Sequence, residues 1–350
     1  MDDPDSPYAD AHRRPRGPND PRPAALQIIK DENLTHALSD LVILITGYSS
    51  GLGVETARAL ASTGATLYLT ARDFGKARTA LGSELVSNPK VHLLHLDLDS
   101  LSSVRNCTST FLSQSSRLNI LITNAGTRHV PWSKTPGGFE RHWAVNHLSH
   151  FLLTNMLLPT LRQSSTMKFQ SRVVVLSSTA HRNSPIHFND LNLENLGAYT
   201  PPAGYAQSKL TNVYMASEIT RRYGTSLSDG KSGVFGLAVH PGGIRTGLQK
   251  DSSGAMELLS WYYLRNIFRV LNILKSTEQG AATTVLAAVS KRFEGKGALY
   301  LEDSGLAVPV KKGWGIMDPG YLPGHTDDAE SARRCWSVSC KAVDVKDDGI

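Results

Sequence analysis

The chain has 350 residues, of which 40% are hydrophobic and 19% are charged, as expected of a globular protein with a sizeable core. The formal net charge of +6 is mild, and the 37 Lys and Arg residues are spread along the chain among acids. This distribution argues against a nucleic-acid-binding protein, which would cluster its basic residues.

Targeting and membrane signals are missing from the sequence. The three cysteines, Cys107, Cys335 and Cys340, are too few for a disulfide framework, and no signal-peptide pattern opens the chain. The longest apolar stretches, residues 41–45 and 151–161, are far shorter than the roughly 20 residues that cross a bilayer. The sequence therefore predicts a soluble cytoplasmic protein without a transmembrane anchor.

The N-terminal residues differ in composition from the rest of the chain. Residues 1–24 are rich in Pro, Asp, Arg and Asn, so they have little apolar surface to bury. We expect a disordered extension over residues 1–36, one domain over 37–325, and a C-terminal helical extension over 326–350. No linker interrupts residues 40–305.

From residue 40 onward, short β-rich runs alternate with longer segments of helical spacing. Continuous apolar strands between helices are typical of a parallel sheet that is buried on both faces. The sequence therefore predicts an α/β, doubly wound (Rossmann) single domain with a parallel seven-stranded sheet, whose last strand lies near residues 298–301. The first six predicted strands cover residues 41–46, 66–70, 91–96, 118–123, 172–177 and 233–239, and the predicted helices cover 52–63, 73–84, 100–115, 139–163 and 204–223.

A glycine-rich turn joins the first predicted strand to the first helix. Glycine lets the backbone turn sharply and approach a pyrophosphate, and a helix N-terminus offers unpaired N–H groups to that anion. The order of the glycines is T-G-x-x-x-G-x-G rather than G-x-G-x-x-G. The predicted cofactor-binding residues of this turn are Gly47, Ser49, Ser50, Gly51, Leu52 and Gly53.

The end of the second strand bears on the choice between NAD and NADP. Arg72 and Asp73 follow that strand, where an acid would bind a ribose hydroxyl and an arginine would bind a 2′-phosphate. We favour Arg72 as the cofactor residue and Asp73 as the N-cap of the next helix. Lys76 either adds charge to the same phosphate or is a solvated surface lysine. The predicted cofactor is therefore NADP, with NADPH preferred over NADH.

A phenol and an ammonium lie four residues apart on a predicted helix. Tyr205 and Lys209 therefore face the same side, where the cation would favour the phenolate and assist acid–base chemistry. The Y-x-x-x-K pattern is common on helix surfaces, so its meaning depends on the motifs around it. Those motifs are Asn124-Ala125-Gly126, Asn146, Ser177-Ser178, His240-Pro241-Gly242 and Thr246.

In this order, over residues 41 to about 305, the motifs resemble the short-chain dehydrogenase/reductase family. The resemblance implies that Tyr205 donates or accepts the proton and that Lys209 binds the nicotinamide ribose and lowers the pKa of Tyr205. It also implies that Ser178 hydrogen-bonds the substrate oxygen, with Ser177 as the alternative, and that Asn146 holds a water in a proton relay. The complete set favours a catalytic member.

The resemblance also assigns further contacts to the cofactor. Members of the family are often dimers or tetramers, so a homo-oligomer is implied by analogy alone. The three histidines at 142, 147 and 150 lack the acid or second pair of a zinc site, so no metal is expected. The implied cofactor contacts are Asp97, Leu98, Asn124, Ala125, Gly126, Pro241, Gly242, Ile244 and Thr246, together with Tyr205 and Lys209.

Residues 146–151, 187–193 and 277–281 resemble the retinol-dehydrogenase-like branch of the family, and residues 332–343 resemble soluble fungal members that act in secondary metabolism. Many members of that branch carry an N-terminal membrane anchor that this sequence lacks, so the substrate name transfers poorly. Residues 256–274 form an amphipathic segment that is interpreted as a lid over an apolar substrate, a helix that completes the core, or a membrane-surface helix.

We therefore predict an NADP(H)-dependent oxidoreductase that interconverts a carbonyl and an alcohol on a bulky apolar small molecule. NADPH pools favour reduction, so the predicted direction is that of a reductase, and the fungal resemblance implies secondary metabolism. Two alternatives stay open: an NADP(H)-binding sensor or scaffold without catalysis, and a reductase of an activated carbon–carbon double bond.

Overall fold

The computed structural model describes residues 5–48, 51–128, 130–195, 197–224, 233–244, 267–311, 315 and 318–349. Its centre is a twisted sheet whose strands lie in the order β3-β2-β1-β4-β5-β6-β7-β8. The strands are β1 (Val42–Thr46), β2 (Thr66–Ala71), β3 (Val91–His95), β4 (Ile120–Thr123), β5 (Ser171–Leu176), β6 (Val234–Val239), β7 (Leu299–Glu302) and β8 (Gly305–Leu306).

The strand order confirms the doubly wound fold. β1 pairs in parallel with both β2 and β4, so the order reverses beside it, and a crevice opens at the carboxyl ends of β1 and β4. The predicted strand count of seven is corrected to eight, because β8 pairs antiparallel with the end of β7. Asp303 and Ser304 turn this hairpin with φ of 51° and 57°, and a two-residue strand is too short to leave a periodic signal in the sequence.

Helices cover both faces of the sheet. Alternate residues of β1 point to opposite faces, so Ile43 and Ile45 enter one apolar cluster and Leu44 enters the other. The α-helices are Ala9–His12, Ala25–Asp31, Leu52–Ala61, Phe74–Val86, Leu101–Gln114, Arg141–Trp143, Ser149–Ser164, Pro201–Tyr223, Ile267–Ile273, Thr277–Val289 and Ala329–Ala342. A π-helical turn covers Ala144–Leu148, and 3₁₀ turns cover Thr179–Asn183 and Lys291–Phe293.

The N-terminal extension differs from the expected disorder over residues 1–36. The helix Ala25–Asp31 buries Ile28 and Ile29 completely, in the same cluster as Leu60 and Val285. Arg22 is also buried, and its guanidinium donates to the carbonyls of Gly17, Ile273 and Leu274. The short helix Ala25–Asp31 has too few apolar residues to form a core alone, but it packs on the apolar helix Thr277–Val289 and removes that helix from solvent.

The C-terminal helix, Ala329–Ala342, packs on the helix Pro201–Tyr223. Trp336 joins the two to the helix Ser149–Ser164, with its ring centroid 4.8 Å from that of Phe151. Residues 245–266, which hold most of the predicted lid, lie outside the described residues. Among the helices that the structure describes, none is long and apolar enough to span a membrane.

Candidate active site

The glycine-rich turn lies at the end of β1, against the end of β4. Gly47 has φ of +74°, and a Cβ there would lie 2.7 Å from the Cα of Ala125, so the position requires glycine on both counts. A Cβ on Gly53 would overlap the carbonyl oxygen of Gly47. The amide of Asn124 donates to the carbonyls of Thr46, at 2.9 Å, and Gly47, at 2.8 Å, which fixes the turn on β4.

This turn leads directly into a helix N-terminus. Gly51, with φ of +60°, is the N-cap of the helix Leu52–Ala61, and as a glycine it has no side chain that could pair with the first N–H groups. Such N–H groups together with bare glycine backbone form a fitting cradle for a pyrophosphate. Ser49 and Ser50 of the predicted turn lie outside the described residues.

The basic residue after β2 is available to a phosphate. Arg72 is 69% exposed, with one guanidinium nitrogen 3.7 Å from a carboxylate oxygen of Asp99. Asp73 caps the helix Phe74–Val86, as predicted, because its carboxylate accepts the N–H of Lys76 at 3.0 Å. The Lys76 ammonium is 81% exposed and lies 3.9 Å from Asp73, so it is a solvated surface group in this structure.

Two further predicted cofactor contacts follow β3. The N–H of Asp97 donates to the hydroxyl of Ser103 at 2.9 Å, and the Leu98 carbonyl accepts the hydroxyl of Ser149 at 2.7 Å. Both residues are thereby held at the carboxyl end of β3.

Tyr205 lies in the first turns of the helix Pro201–Tyr223. Thr200 caps that helix with its side chain, and Pro201 at the first helical position needs no hydrogen-bond acceptor. The Ser178 hydroxyl is hydrogen-bonded to the Tyr205 phenol, and the guanidinium carbon of Arg128 lies 5.5 Å from the ring centroid. Burial raises the pKa of Tyr205 above its ordinary value, against the opposing effects of the Arg128 charge and the Ser178 hydrogen bond.

The structure distinguishes the two adjacent serines. The buried Ser177 donates its hydroxyl hydrogen to the Lys209 carbonyl at 2.7 Å, so it ties β5 to the long helix. Ser178 is half-buried at the start of the 3₁₀ turn Thr179–Asn183 and faces Tyr205. Ser178, rather than Ser177, is therefore placed to share a ligand atom with the phenol.

Lys209 lies one helical turn beyond Tyr205 and is only 5% exposed. Its ammonium donates to the Leu176 carbonyl at 3.0 Å and lies 5.6 Å from the Tyr205 ring centroid. Burial lowers the pKa of Lys209 to about 8. A Cβ built on Gly126 would lie 3.1 Å from the side-chain oxygen of Asn146, so the glycine leaves room for that amide.

Asn146 lies in the π-helical turn, a local distortion that is frequent at functional sites. Its side-chain oxygen accepts the N–H of Thr127 at 2.7 Å, and its amide donates to the Thr127 carbonyl at 3.0 Å and to Ser208 at 2.9 Å. The side chain is thus bound to the protein through both its oxygen and its nitrogen, and the main-chain carbonyl of Asn146 accepts a further side-chain hydrogen bond, from His150.

The imidazole of His150 is hydrogen-bonded to the main-chain carbonyl of Asn146, a contact that the sequence did not predict. Its Nδ1 lies 3.1 Å from the Asn146 carbonyl, which can only accept, so Nδ1 carries the hydrogen. Its Nε2 then accepts the hydroxyl of Thr46 at 2.9 Å, and the Thr46 oxygen accepts the Ala125 N–H at 3.1 Å. Burial lowers the pKa of His150 to about 4, which keeps the ring neutral.

The loop after β6 closes the site on the other side. Gly242 has φ of +100°, and a Cβ there would lie 2.8 Å from the Lys275 side chain. The Ile244 side chain and that of Leu52 both meet Gly280, where a Cβ would overlap them. Ile244 therefore lies close to Leu52 at the end of the glycine-rich turn, whereas Thr246 lies outside the described residues. The cofactor contacts assigned to Pro241, Gly242 and Ile244 stay predictions.

Arg128 is the charged residue near Tyr205 that the sequence analysis missed. The Arg128 charge lowers the pKa of Tyr205 against the larger effect of burial, which raises it, and the lowering that the resemblance assigns to Lys209 stays a prediction. Arg128 follows the Asn124-Ala125-Gly126 motif by two residues, and that proximity was the available signal.

Comparison with known proteins identifies the family. Residues 41–190 match the family model of short chain dehydrogenases. The short-chain dehydrogenase/reductase prx1 of Penicillium roqueforti is 42% identical over 97% of this chain and 96% of its own. The chain belongs to the short-chain dehydrogenase/reductase family. It is therefore an oxidoreductase, and members of this family use a nicotinamide cofactor on small-molecule substrates.

Other relatives confirm the branch. The short-chain dehydrogenase/reductase described here is 37% identical to oxidoreductase calI of Penicillium decumbens, over 97% of this chain and 98% of the other. Human retinol dehydrogenase 12 is 36% identical over 87% of each chain. The crystal structure of an uncharacterized protein from Mycobacterium Paratuberculosis superposes with a TM-score of 0.62 and 31% identity, covering 89% of this chain and 98% of the other.

Proposed function

We propose that this short-chain dehydrogenase/reductase interconverts a carbonyl and an alcohol on a bulky apolar small molecule, with NADP(H) as cofactor and reduction as the working direction. The observation that carries the proposal is the contact between Ser178 and Tyr205, with the Lys209 ammonium buried against the same phenol ring. These groups supply a proton donor, a hydrogen-bond donor and a cation at one place, which carbonyl reduction requires.

The protonation states support reduction. Because burial raises the pKa of Tyr205, the phenol keeps its hydrogen at neutral pH and can donate it to the oxygen of a bound carbonyl. Ser178 would hydrogen-bond that same oxygen. The Lys209 cation would stabilise the phenolate that Tyr205 becomes after the proton has left. Asn146 would hold the water that returns a proton.

The residues around the crevice fit NADP(H). The glycine-rich turn would hold the pyrophosphate on Gly47, Gly51 and Gly53, with Ser49, Ser50 and Leu52 beside it, and Arg72 would pair with the 2′-phosphate. Asp73 is engaged as a helix cap, which supports Arg72 as the residue that reads this position. Lys76 would add charge there only by moving its exposed side chain. When bound, the cofactor supplies the hydride.

The remaining cofactor contacts line the same edge of the sheet. Lys209 would hydrogen-bond the nicotinamide ribose, next to Tyr205. Asp97 and Leu98 would contact the adenine end of the cofactor. Its centre would lie against Asn124, Ala125 and Gly126. The carboxamide end would be contacted by Pro241, Gly242, Ile244 and Thr246.

The cellular setting is part of the proposal. All three cysteines are free and buried, which supports a reducing compartment such as the cytoplasm. A place in secondary metabolism is proposed from the resemblance of residues 332–343 to soluble fungal members of the family, and a homo-oligomer is proposed by analogy with the family.

The test is oxidation of NADPH by the purified protein across a panel of bulky apolar ketones, aldehydes and quinones, with NADH in parallel. We expect substrate-dependent loss of NADPH absorbance, a product alcohol in equal amount, and slower turnover with NADH. Saturable NADPH binding without turnover on any member of the panel would refute the proposed reductase and favour a binding role.

A further inference from the structure

The C-terminal segment, residues 326–343, makes two buried polar contacts with the site. Ser339 and Thr326 each lie against a histidine, at 2.8 Å from His147 and 3.2 Å from His181. Both hydroxyl residues are at most 7% exposed. Neither histidine is hydrogen-bonded to Tyr205 in the part of the chain that the structure describes. The function of the two contacts therefore depends on the next residues to which each histidine is hydrogen-bonded.

The first chain leads from Ser339 to the carbonyl that anchors Lys209. The amide nitrogen of Asn212 donates to the Leu176 carbonyl at 2.9 Å, the same oxygen that accepts the Lys209 ammonium at 3.0 Å. The Asn212 side-chain oxygen lies 3.2 Å from Nδ1 of His147. Lys209 and Asn212 are three residues apart on one helix, so they approach Leu176 from the same face.

The hydrogens of this chain can be assigned from chemistry. The Leu176 carbonyl can only accept, so the nitrogen of the Asn212 amide must face it and the oxygen must face His147. His147 therefore carries its hydrogen on Nδ1, and its Nε2 is an acceptor that faces the hydroxyl of Ser339. That hydroxyl also lies 2.8 Å from the Cys335 carbonyl, so its single hydrogen serves two acceptors.

The second chain leads from Thr326 to the backbone of Ser178. Nδ1 of His181 lies 2.6 Å from the Ser178 carbonyl and must donate to it, so Nε2 accepts the hydroxyl of Thr326. Burial lowers the pKa of His181 to about 4 and that of His147 to about 3. Both rings are therefore neutral, and each has a single tautomer that its partners determine.

We infer that the C-terminal segment is a positioning element of the active site, in which Ser339 fixes Lys209 through His147, Asn212 and Leu176, and Thr326 fixes Ser178 through His181. This inference rests on the proposed function, because it takes Lys209 and Ser178 as the groups that act. Ser339 and Thr326 lie more than a hundred residues beyond Lys209 in the sequence, and they act through other residues rather than on the substrate.

The inference predicts different kinetic signatures for the two hydroxyls. Ser339→Ala removes the hydroxyl that lies 2.8 Å from Nε2 of His147, so the His147 ring, the Asn212 amide and the Lys209 ammonium lose their fixed geometry. We expect weaker NADPH binding, a basic limb of the pH–rate profile that moves to higher pH as the phenolate is less stabilised, and a kcat about tenfold lower. Thr326→Val should lower kcat for reduction while NADPH affinity stays that of the parent.

The experiment measures NADPH affinity by fluorescence titration and kcat against pH for six variants besides the parent. Ser337→Ala, at a half-buried serine of the same helix, is the matched control and should behave as the parent. Ser339→Thr keeps the hydroxyl and should restore both readouts. In Lys209→Ala, adding Ser339→Ala should cause no further loss of NADPH affinity, because the effect passes through the ammonium.

The outcomes separate the inference from the proposed function. A folded Ser339→Ala protein with the NADPH affinity and pH profile of Ser337→Ala would overturn the inference and leave the proposed reductase standing. If Lys209→Ala itself leaves NADPH affinity and turnover unchanged, the proposed function fails and the inference with it. If Ser339→Ala does not fold, Thr326→Val decides: an unchanged kcat overturns the inference, and a lower kcat at unchanged NADPH affinity supports it.

Discussion

At the level of single residues, the two basic groups after β2 differ in how much they can contribute to cofactor choice. The Arg72 guanidinium is anchored only loosely, 3.7 Å from Asp99, and is free of the helix that follows. Lys76 is further exposed and belongs to the first turn of that helix. An arginine fork also matches phosphate better than an ammonium does, so the preference for NADPH should depend on Arg72.

We predict that Arg72→Ala weakens NADPH binding about tenfold to a hundredfold, because charge-assisted hydrogen bonds to the phosphate are lost. NADH affinity should change little, since NADH lacks the 2′-phosphate. The measurement is fluorescence titration of both cofactors, with Lys76→Ala as the matched control. Equal weakening of NADPH and NADH binding would show that Arg72 supports the fold of the crevice rather than reading the phosphate.

The site residues were predictable to the extent that they follow strand ends in a fixed order. Gly47, Ser178, Tyr205 and Lys209 all meet at one edge because parallel strands place their carboxyl ends together. Arg128 could not be assigned from sequence, because its influence on Tyr205 depends on where a loop side chain lies. The roles of His147, His150 and His181 depend on tautomers, which only the positions of their partners determine.

At the level of elements, the N-terminal helix Ala25–Asp31 is part of the core. Its residues Ile28 and Ile29 are fully buried, whereas Leu26 on the same helix is 41% exposed. Disorder was expected over residues 1–36 because composition is an average over the whole segment, in which a short apolar run has little weight. Two adjacent isoleucines suffice for docking when a neighbouring apolar helix is available, and the partner lies some 250 residues away in the chain.

We expect Ile29→Ala to lower the free energy of unfolding by about 2–5 kcal/mol, because it leaves a cavity between two helices. Leu26→Ala, the matched control, should stay within about 0.5 kcal/mol of the parent since its side chain is largely solvated. Equilibrium unfolding in urea measures both. Equal stability of the two variants would mean that the N-terminal helix does not belong to the cooperative unit.

At the level of the whole molecule, the sheet order was predictable and the short β8 was not. The seven parallel strands β1 to β7 leave apolar runs in the sequence, whereas Gly305–Leu306 is defined by its pairing with β7 alone. The unusual global feature is a set of buried neutral histidines around the site. Burial lowers the pKa of His147 and His240 to about 3 and that of His150 and His181 to about 4.

These histidines predict acid lability. In the unfolded chain each binds a proton near pH 6.5, whereas in the folded chain each stays neutral to a much lower pH, so their contribution to stability is present above 6.5 and is lost as the pH falls toward 4. Glu302 opposes them, because burial raises its pKa to about 8 and its protonated form is favoured on folding. Between pH 6.5 and pH 4, the four histidines together lower the free energy of unfolding by more than Glu302 raises it.

We therefore expect the free energy of unfolding to fall by on the order of 1 kcal/mol per pH unit for each histidine below pH 6.5, less the contribution of Glu302. Urea unfolding at pH 7.5 and at pH 5.5 measures the difference, and Glu302→Gln should make the fall steeper because it removes the opposing group. Unchanged or higher stability at pH 5.5 would contradict the neutral state assigned to these rings.

The proposed carbonyl reductase depends on Tyr205 as the proton donor, so the most direct test compares Tyr205→Phe with the parent. With a carbonyl that the parent reduces, we predict that NADPH-dependent turnover falls by about a hundredfold or more, because the proton donor is removed, while NADPH affinity stays within a few-fold. Tyr223→Phe, at the far end of the same helix, should keep the parent's turnover. Turnover of Tyr205→Phe within a few-fold of the parent would contradict the role of Tyr205 as the proton donor.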